Sequence, residues 1–319
     1  MIVRWGLPEL APLLEELGLA RPLLITSARL AAIDVPVTSR FSGVRRHAPL
    51  DVVAAATDAA SEADGLVAVG GGSAIDTSKA VSAATGLPLV AVPTTYSGSE
   101  WTPYFGMRDE ARRAKTGGSG ATTVAVVYEP ALTLDLPREE TVGTAMNALA
   151  HCAEAMYAEG HNPAGDAHAV QGASLIGEWL PRVVAEPHDL SARTKLLEGA
   201  MHAGAALGAS MLALGHAMAQ ALGGRYGLPH GAMNALTLPE ALRFNEEVAP
   251  DAVRRFREEV GVDVEELAAL GGFERLRDFG VPEAELAEVA AATVQRAGAR
   301  ANPRPASAAD VEQLLHNIY

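Results

Sequence analysis

Residues 66–79 read LVAVGGGSAIDTSK: four apolar residues, three glycines, a serine, then a stretch of small and polar residues. A short uncharged run that ends in glycine predicts a buried strand, and the alternation that follows predicts a helix over 74–85. Glycines at such a turn let the backbone approach a bound group and leave amide N–H groups directed at it, beside the positive end of the helix. A diphosphate is the expected guest. Gly70, Gly71, Gly72 and Ser73 are the residues expected to hold it, with Asp76 one turn into the helix. On their own the glycines read equally well as a tight turn without a ligand.

Working outward from this turn, further strands are expected at 22–26 (PLLIT), 88–92 (PLVAV) and 123–128 (TVAVVY), with a helix over 50–63. Alternating strands and helices, with strands apolar on both faces, predict a parallel sheet covered by helices. The strand at 88–92 runs into PTTYSGSE (93–100), a second turn rich in hydroxyls and backbone donors. Ligands of open α/β sheets bind beyond the carboxyl ends of the strands, so Thr94, Thr95 and Ser97 join the anion-binding set. After residue 137 the rhythm changes. Stretches 139–158, 166–185, 191–209, 211–223 and 231–247 read as Ala- and Leu-rich helices, and 253–260 as a solvated helix face. The division expected is an α/β domain over 1–137 and an all-α domain over 138–319.

With 319 residues the chain is long enough for two cores, and hydrophobic residues at 49% supply the surface to fill them. A net charge of −14 argues against a nucleic-acid partner, whose phosphates require clustered Lys and Arg. The single cysteine, Cys152, excludes an internal disulfide and fits a reducing cytoplasm. Neither a signal-peptide pattern at MIVRWGLPEL nor a membrane-length apolar run is expected from the sequence.

Chemistry is expected from the second half. Asn147 and His151 are four apart in TAMNALAHCAEAMY, hence on one helical face. His216 and His230 lie fourteen apart on either side of a glycine-rich turn. Three imidazoles from three helices have two uses at one point: around a metal, or around a reacting carbonyl. A single helical histidine is more often a structural residue.

Taken together, these segments resemble the iron-containing alcohol dehydrogenase superfamily. GGGSxxDxxK matches Gly70–Lys79, PTTxxxSE matches Pro93–Glu100, and the three histidines match the superfamily's metal site, where Asn147 replaces the expected Asp. The Asn in MNALAHCAEA, PTTYSGSEWTP, Lys115-Thr116 and the NPRP segment (Asn302–Pro305) are similar to the maleylacetate reductase branch. The resemblance implies a shortened Rossmann-like α/β domain that binds a dinucleotide, followed by a helical domain, the architecture shared with dehydroquinate synthase. It implies NAD or NADP as cofactor, a small-molecule substrate and a homodimer. It further implies carbonyl reduction, with His151, His216 and His230 as electrophile and proton donor and Lys115 on a substrate carboxylate. Tyr96, Asn147, Gln220 and Asn234 are the expected substrate neighbours.

The pattern also departs from that branch. Gln220 and Asn234 stand where maleylacetate reductases carry further histidines, and neither amide donates a proton near neutrality. Asn147 brings no charge to balance a cation, so a zinc or iron ion on Asn147, His151, His216 and His230 is not expected to be tight. No carboxylate closes the strand that ends at Thr26, which leaves both nicotinamide cofactors open, with Arg29 as a partner for a 2′-phosphate. Two alternatives follow. One is a non-redox lyase, cyclase or isomerase using a histidine cleft between the domains; the other is a zinc- or iron-dependent alcohol dehydrogenase.

Overall fold

The structure, a computed structural model, describes residues 1–112 and 114–319. Its packing divides into two compact units, one of residues 1–95 and 99–133 and one of 96–98 and 134–319. The division falls between Thr133 and Leu134, a few residues before the expected one, and Tyr96–Gly98 belong to the helical unit. The PTTYSGSE segment is thereby shared: its threonines belong to the first unit, its Tyr-Ser-Gly to the second.

In the α/β unit the strands in chain order are β1 (Ile2–Trp5), β2 (Pro22–Thr26), β3 (Ser39–Phe41), β4 (Gly65–Gly70), β5 (Leu89–Pro93), β6 (Phe105–Asp109), β7 (Ala114–Gly118) and β8 (Thr123–Tyr128). Among the described residues six of them form a sheet in the order β1-β8-β5-β4-β2-β3, all paired in parallel. β2, β4 and β5 are buried along their whole length, as parallel strands covered on both faces require. The sequence reading overlooks β1 and β3 because these edge strands are partly exposed and carry polar residues. β6 and β7 form a separate antiparallel hairpin.

Among the described residues this unit has three α-helices: α1 (Leu10–Glu16), α2 (Leu50–Ala59) and α3 (Gly72–Thr85). α2 stops short of the expected residue 63, and its end tightens through the Ala60 N–H to Thr57 O bond at 3.1 Å. One core packs Leu10, Leu13 and Leu14 of α1 against Leu24, Val67, Val69, Val90, Val92 and Val127 of the sheet.

The helical unit comprises α4 (Arg138–Tyr157), α5 (Pro163–Ala185), α6 (Leu190–Ala209), α7 (Leu214–Tyr226), α8 (His230–Asn245), α9 (Pro250–Val260), α10 (Val264–Ala269), α11 (Leu286–Val294), α12 (Ala297–Arg300) and α13 (Ala308–Asn317). Side-chain caps start several of them: Asn162 accepts from Gly165 N, Asp189 from Ser191 and Ala192 N, and Ser307 with Asp310 forms a capping box. α10 to α13 escape the sequence reading because they are short and broken by Gly, Pro and 3-10 turns. Among the described residues no single helix is long and apolar enough to cross a membrane.

Between α5 and α6, the Nδ1 atoms of His168 and His202 are 2.9 Å apart, so one ring donates to the other. Burial holds His202 below the ordinary imidazole range; His168 adds to this and Glu198 opposes it. As pH falls through about 6.5 the unfolded chain therefore takes up the proton first, and stability falls as the pH drops further. His202→Asn is expected to flatten that fall in a series of thermal melts, by under about 1 kcal/mol because the group is half-exposed.

Candidate active site

The phosphate turn is built by register. Gly70 pairs with Pro93 across β4 and β5, so both strands end level and their turns lie side by side. Thr94 N–H donates to Gly70 O at 3.0 Å and ties them together. α3 begins at Gly72, two residues earlier than expected, so the glycine turn is itself the N-terminus of a fourteen-residue helix with no side-chain cap. A Cβ on Gly71 would lie 2.7 Å from Thr95 Cγ2, too close for any side chain. Thr95 Oγ1 is enclosed and has no hydrogen-bond partner among the described residues. Uncapped amides and an orphaned hydroxyl beside a backbone that tolerates no side chain fit a diphosphate.

The same unit accounts for three other residues of these motifs. Asp76 Oδ2 accepts from Gly106 N–H at 3.2 Å, and Asp76 Oδ1 is 3.4 Å from Lys79 Nζ. Lys79 is buried and donates to Ser99 O at 2.7 Å and to Tyr104 O, which makes it a stitch for the segment after the PTT turn. Lys115 sits on β7 of the hairpin, where its Cε would be 2.5 Å from a Cβ added to Gly106, a point 3.5 Å from Asp76 Oδ2. The structure thus places Lys115 in the α/β unit, near the helix that follows the glycines, and not in the unit that carries the histidines.

The histidine cluster begins with two glycines. A Cβ on Gly231 would lie 2.4 Å from the Gly143 carbonyl, so α4 and α8 cross almost backbone to backbone. That crossing sets Asn147 and His151 of α4 against His230 and Asn234 of α8. α7 adds His216, whose ring stacks on His151 at 4.7 Å with 13° between planes and lies 5.8 Å from His230. Asn147, His151, His216 and Asn234 are buried, while His230 is partly open. The three histidines from three helices are brought together.

Hydrogen bonds orient Asn147, His216, Asn234 and His230. Asn147 Nδ2 donates to Ser97 O at 3.0 Å, which fixes its amide and turns Oδ1 toward α8. Asn147 Oδ1 accepts from Asn234 Nδ2 at 2.8 Å and faces His216 Nε2 at 3.3 Å. Asn234 Nδ2 also lies 3.2 Å from His230 Nε2. Glu154, wholly buried on α4, was not singled out from the sequence. Its Oε2 accepts from His216 Nδ1 at 2.8 Å and from Ala213 N at 2.6 Å, and its Oε1 from His216 N at 3.0 Å. One carboxylate from α4 therefore caps α7 and aims its imidazole. This explains why α7 starts at 214 and not at the expected 211. The signal was present in the sequence, since Asn147, His151 and Glu154 are spaced i, i+4, i+7 on one helical face. Both ring nitrogens of His216 are thereby held, Nδ1 by Glu154 and Nε2 by Asn147 Oδ1.

The terminal NPRP segment braces the same helix. Asn302 and Asn245 exchange reciprocal amide bonds at 2.9 and 2.7 Å, and Leu214 N donates to Asn302 Oδ1 at 3.3 Å. Tyr96, expected beside the substrate, is wholly buried, with its hydroxyl accepting from Arg193 at 3.2 Å. Its side chain is a strut of the helical core. Gln220, one turn beyond His216 on α7, accepts from Arg296 Nη1 at 3.3 Å.

As placed, these side chains do not fit a divalent cation. The imidazoles of His151 and His216 are stacked face to face, and the nearby oxygen donor, Asn147 Oδ1, is a neutral amide that already accepts from Asn234. Among the described residues no three His, Cys, Asp or Glu are arranged to hold a metal.

Residues 5–130 match the family model described as iron-containing alcohol dehydrogenase, and residues 141–319 match that for the C-terminal part of the Fe-containing alcohol dehydrogenase family. A maleylacetate reductase of Pseudomonas knackmussii is 35% identical over 98% of this chain and 93% of its own. The crystal structure of a maleylacetate reductase from Agrobacterium tumefaciens superposes with a TM-score of 0.90 at 30% identity, covering 100% of this chain and 95% of that one. A sulfoacetaldehyde reductase from Bifidobacterium kashiwanohense, solved in complex with NAD+, gives a TM-score of 0.85 at 25% identity over 100% and 96%.

Proposed function

The chain belongs to the iron-containing alcohol dehydrogenase family, and from that premise we propose that it reduces the ketone of a carbonyl acid with NAD(P)H, in the manner of the maleylacetate reductases. The observation that carries this reading is the set of protic groups in the helical unit: His216 locked between Glu154 and Asn147, beside a partly open His230. NAD(P)H, held on Gly70–Ser73 with Thr94 and Thr95, supplies hydride to the carbonyl carbon. Lys115, next to Asp76, serves the dinucleotide side.

Hydride addition builds negative charge on the carbonyl oxygen, and the site must answer it with donors already in place. His230 is the accessible imidazole and hands its proton to that oxygen. His216 stands behind it as a fixed donor, oriented by Glu154 as a second group orients a catalytic histidine elsewhere. Asn234 and Asn147 hold both rings in register. Because the donor set does not fit a metal, no step passes through one.

The test is NADH and NADPH oxidation with maleylacetate, with and without a chelator. Saturable turnover that survives chelation is expected. If neither nucleotide is oxidised, the reductase reading is wrong. If activity vanishes on chelation and returns with iron or zinc, the enzyme is a metal-dependent dehydrogenase instead.

A further inference from the structure

Arg296, which follows α11, is a half-buried cation with no counter-ion among the described residues. Its guanidinium makes one hydrogen bond, from Nη1 to Gln220 Oε1 at 3.3 Å, and its Nε is enclosed with no partner among the described residues. A guanidinium carries five N–H donors and is rarely left so poorly matched. The buried Arg193 of the same unit is matched by Pro187 O, Tyr96 OH and Thr141 Oγ1, and the more exposed Arg225, Arg243 and Arg257 are paired with carboxylates. Burial without compensation pulls Arg296 below the ordinary arginine range. In a chain of net charge −14 such a gap is not for want of acidic residues.

The position of Arg296 gives the gap a purpose. Gln220 and His216 are i, i+4 on α7 and share one helical face, about 5–6 Å apart along the axis. Two residues beyond Arg296, a Cβ on Gly298 would lie 2.7 Å from the carbonyl oxygen of Ala213, the residue that starts α7. The start of α12 is thus pressed against the N-cap of the helix that carries His216. We propose that Arg296, steadied by Gln220, is the carboxylate-binding residue of this site. The proposal rests on the reductase reading and adds a residue to it.

Arg296→Gln and Arg296→Lys test it, with maleylacetate as substrate and succinate as a redox-inert competitor. For Arg296→Gln, KM for maleylacetate and Ki for succinate are expected to rise together by about 100-fold, with kcat changed by less than about threefold. Arg296→Lys, which keeps the charge and loses the fork, is expected to recover about tenfold of that loss. KM and Ki within twofold of the wild type in Arg296→Gln overturn the assignment. If that variant does not fold, Arg296→Lys decides: an unchanged KM and Ki overturn it equally. Calorimetry with succinate separates this inference from the reductase reading. Succinate bound by the wild type and not by Arg296→Gln, without any nucleotide oxidation, keeps Arg296 and removes the reductase. Turnover that ignores the substitution does the reverse, and neither binding nor turnover in the wild type overturns both.

Discussion

His230→Ala is expected to lower carbonyl reduction by about 10³-fold while leaving NAD(P)H affinity within about twofold. The separation follows from where the residues lie: His230 begins α8 in the helical unit, and the dinucleotide turn belongs to the α/β unit. His230 is partly open, so its removal leaves little cavity and the variant should melt near the wild type. His216→Ala should abolish turnover too, and at a structural cost, because it takes one partner from the buried carboxylate of Glu154. Steady-state kinetics, nucleotide titration and a thermal melt on both variants check this. Full turnover in either one removes that histidine from the reaction. Loss of nucleotide binding in step with turnover would instead mean that the helical unit had been disturbed as a whole.

Gly71→Val should do the opposite: it should abolish nucleotide binding and leave the histidine cluster as it is. The new Cβ has Thr95 Cγ2 at 2.7 Å, and relief requires the level turns after β4 and β5 to part. Overpacking of this kind costs about 1–3 kcal/mol of stability, tolerable for a domain-sized core. The turn, however, loses the close backbone approach on which a diphosphate depends, and the dissociation constant for NADH should rise by about 100-fold or more. Gly71→Ala should lie between Val and wild type. The measurement is quenching of tryptophan fluorescence by NADH or energy transfer to it, with melting curves to confirm that the variant is folded. An affinity within about threefold of the wild type would mean that the diphosphate does not rest on this turn. Together the two substitutions dissociate binding from chemistry, which a single loss-of-activity variant does not.

Sequence alone carried the local physics. LVAVGGGS declares its strand and turn because burial on both faces and backbone approach each demand a narrow choice of residue. The helices from Arg138 to Asn245 were legible within a few residues because long apolar periodicity survives without knowledge of partners. The set Asn147, His151, His216, His230 was legible as a pattern, by spacing and by resemblance. The edge strands β1 and β3 were not, being half-exposed and polar. Nor was the start of α7, since its cap is a side chain 59 positions earlier in the chain. Only the tertiary structure decided the roles. It buried Tyr96 against Arg193, put Lys115 in the α/β unit, made Glu154 the residue that aims His216, and left Arg296 without a counter-ion among the described residues. Each of these depends on which distant side chain stands within about 3 Å, a quantity fixed by helix crossings such as Gly143 on Gly231 and by no local property of the sequence.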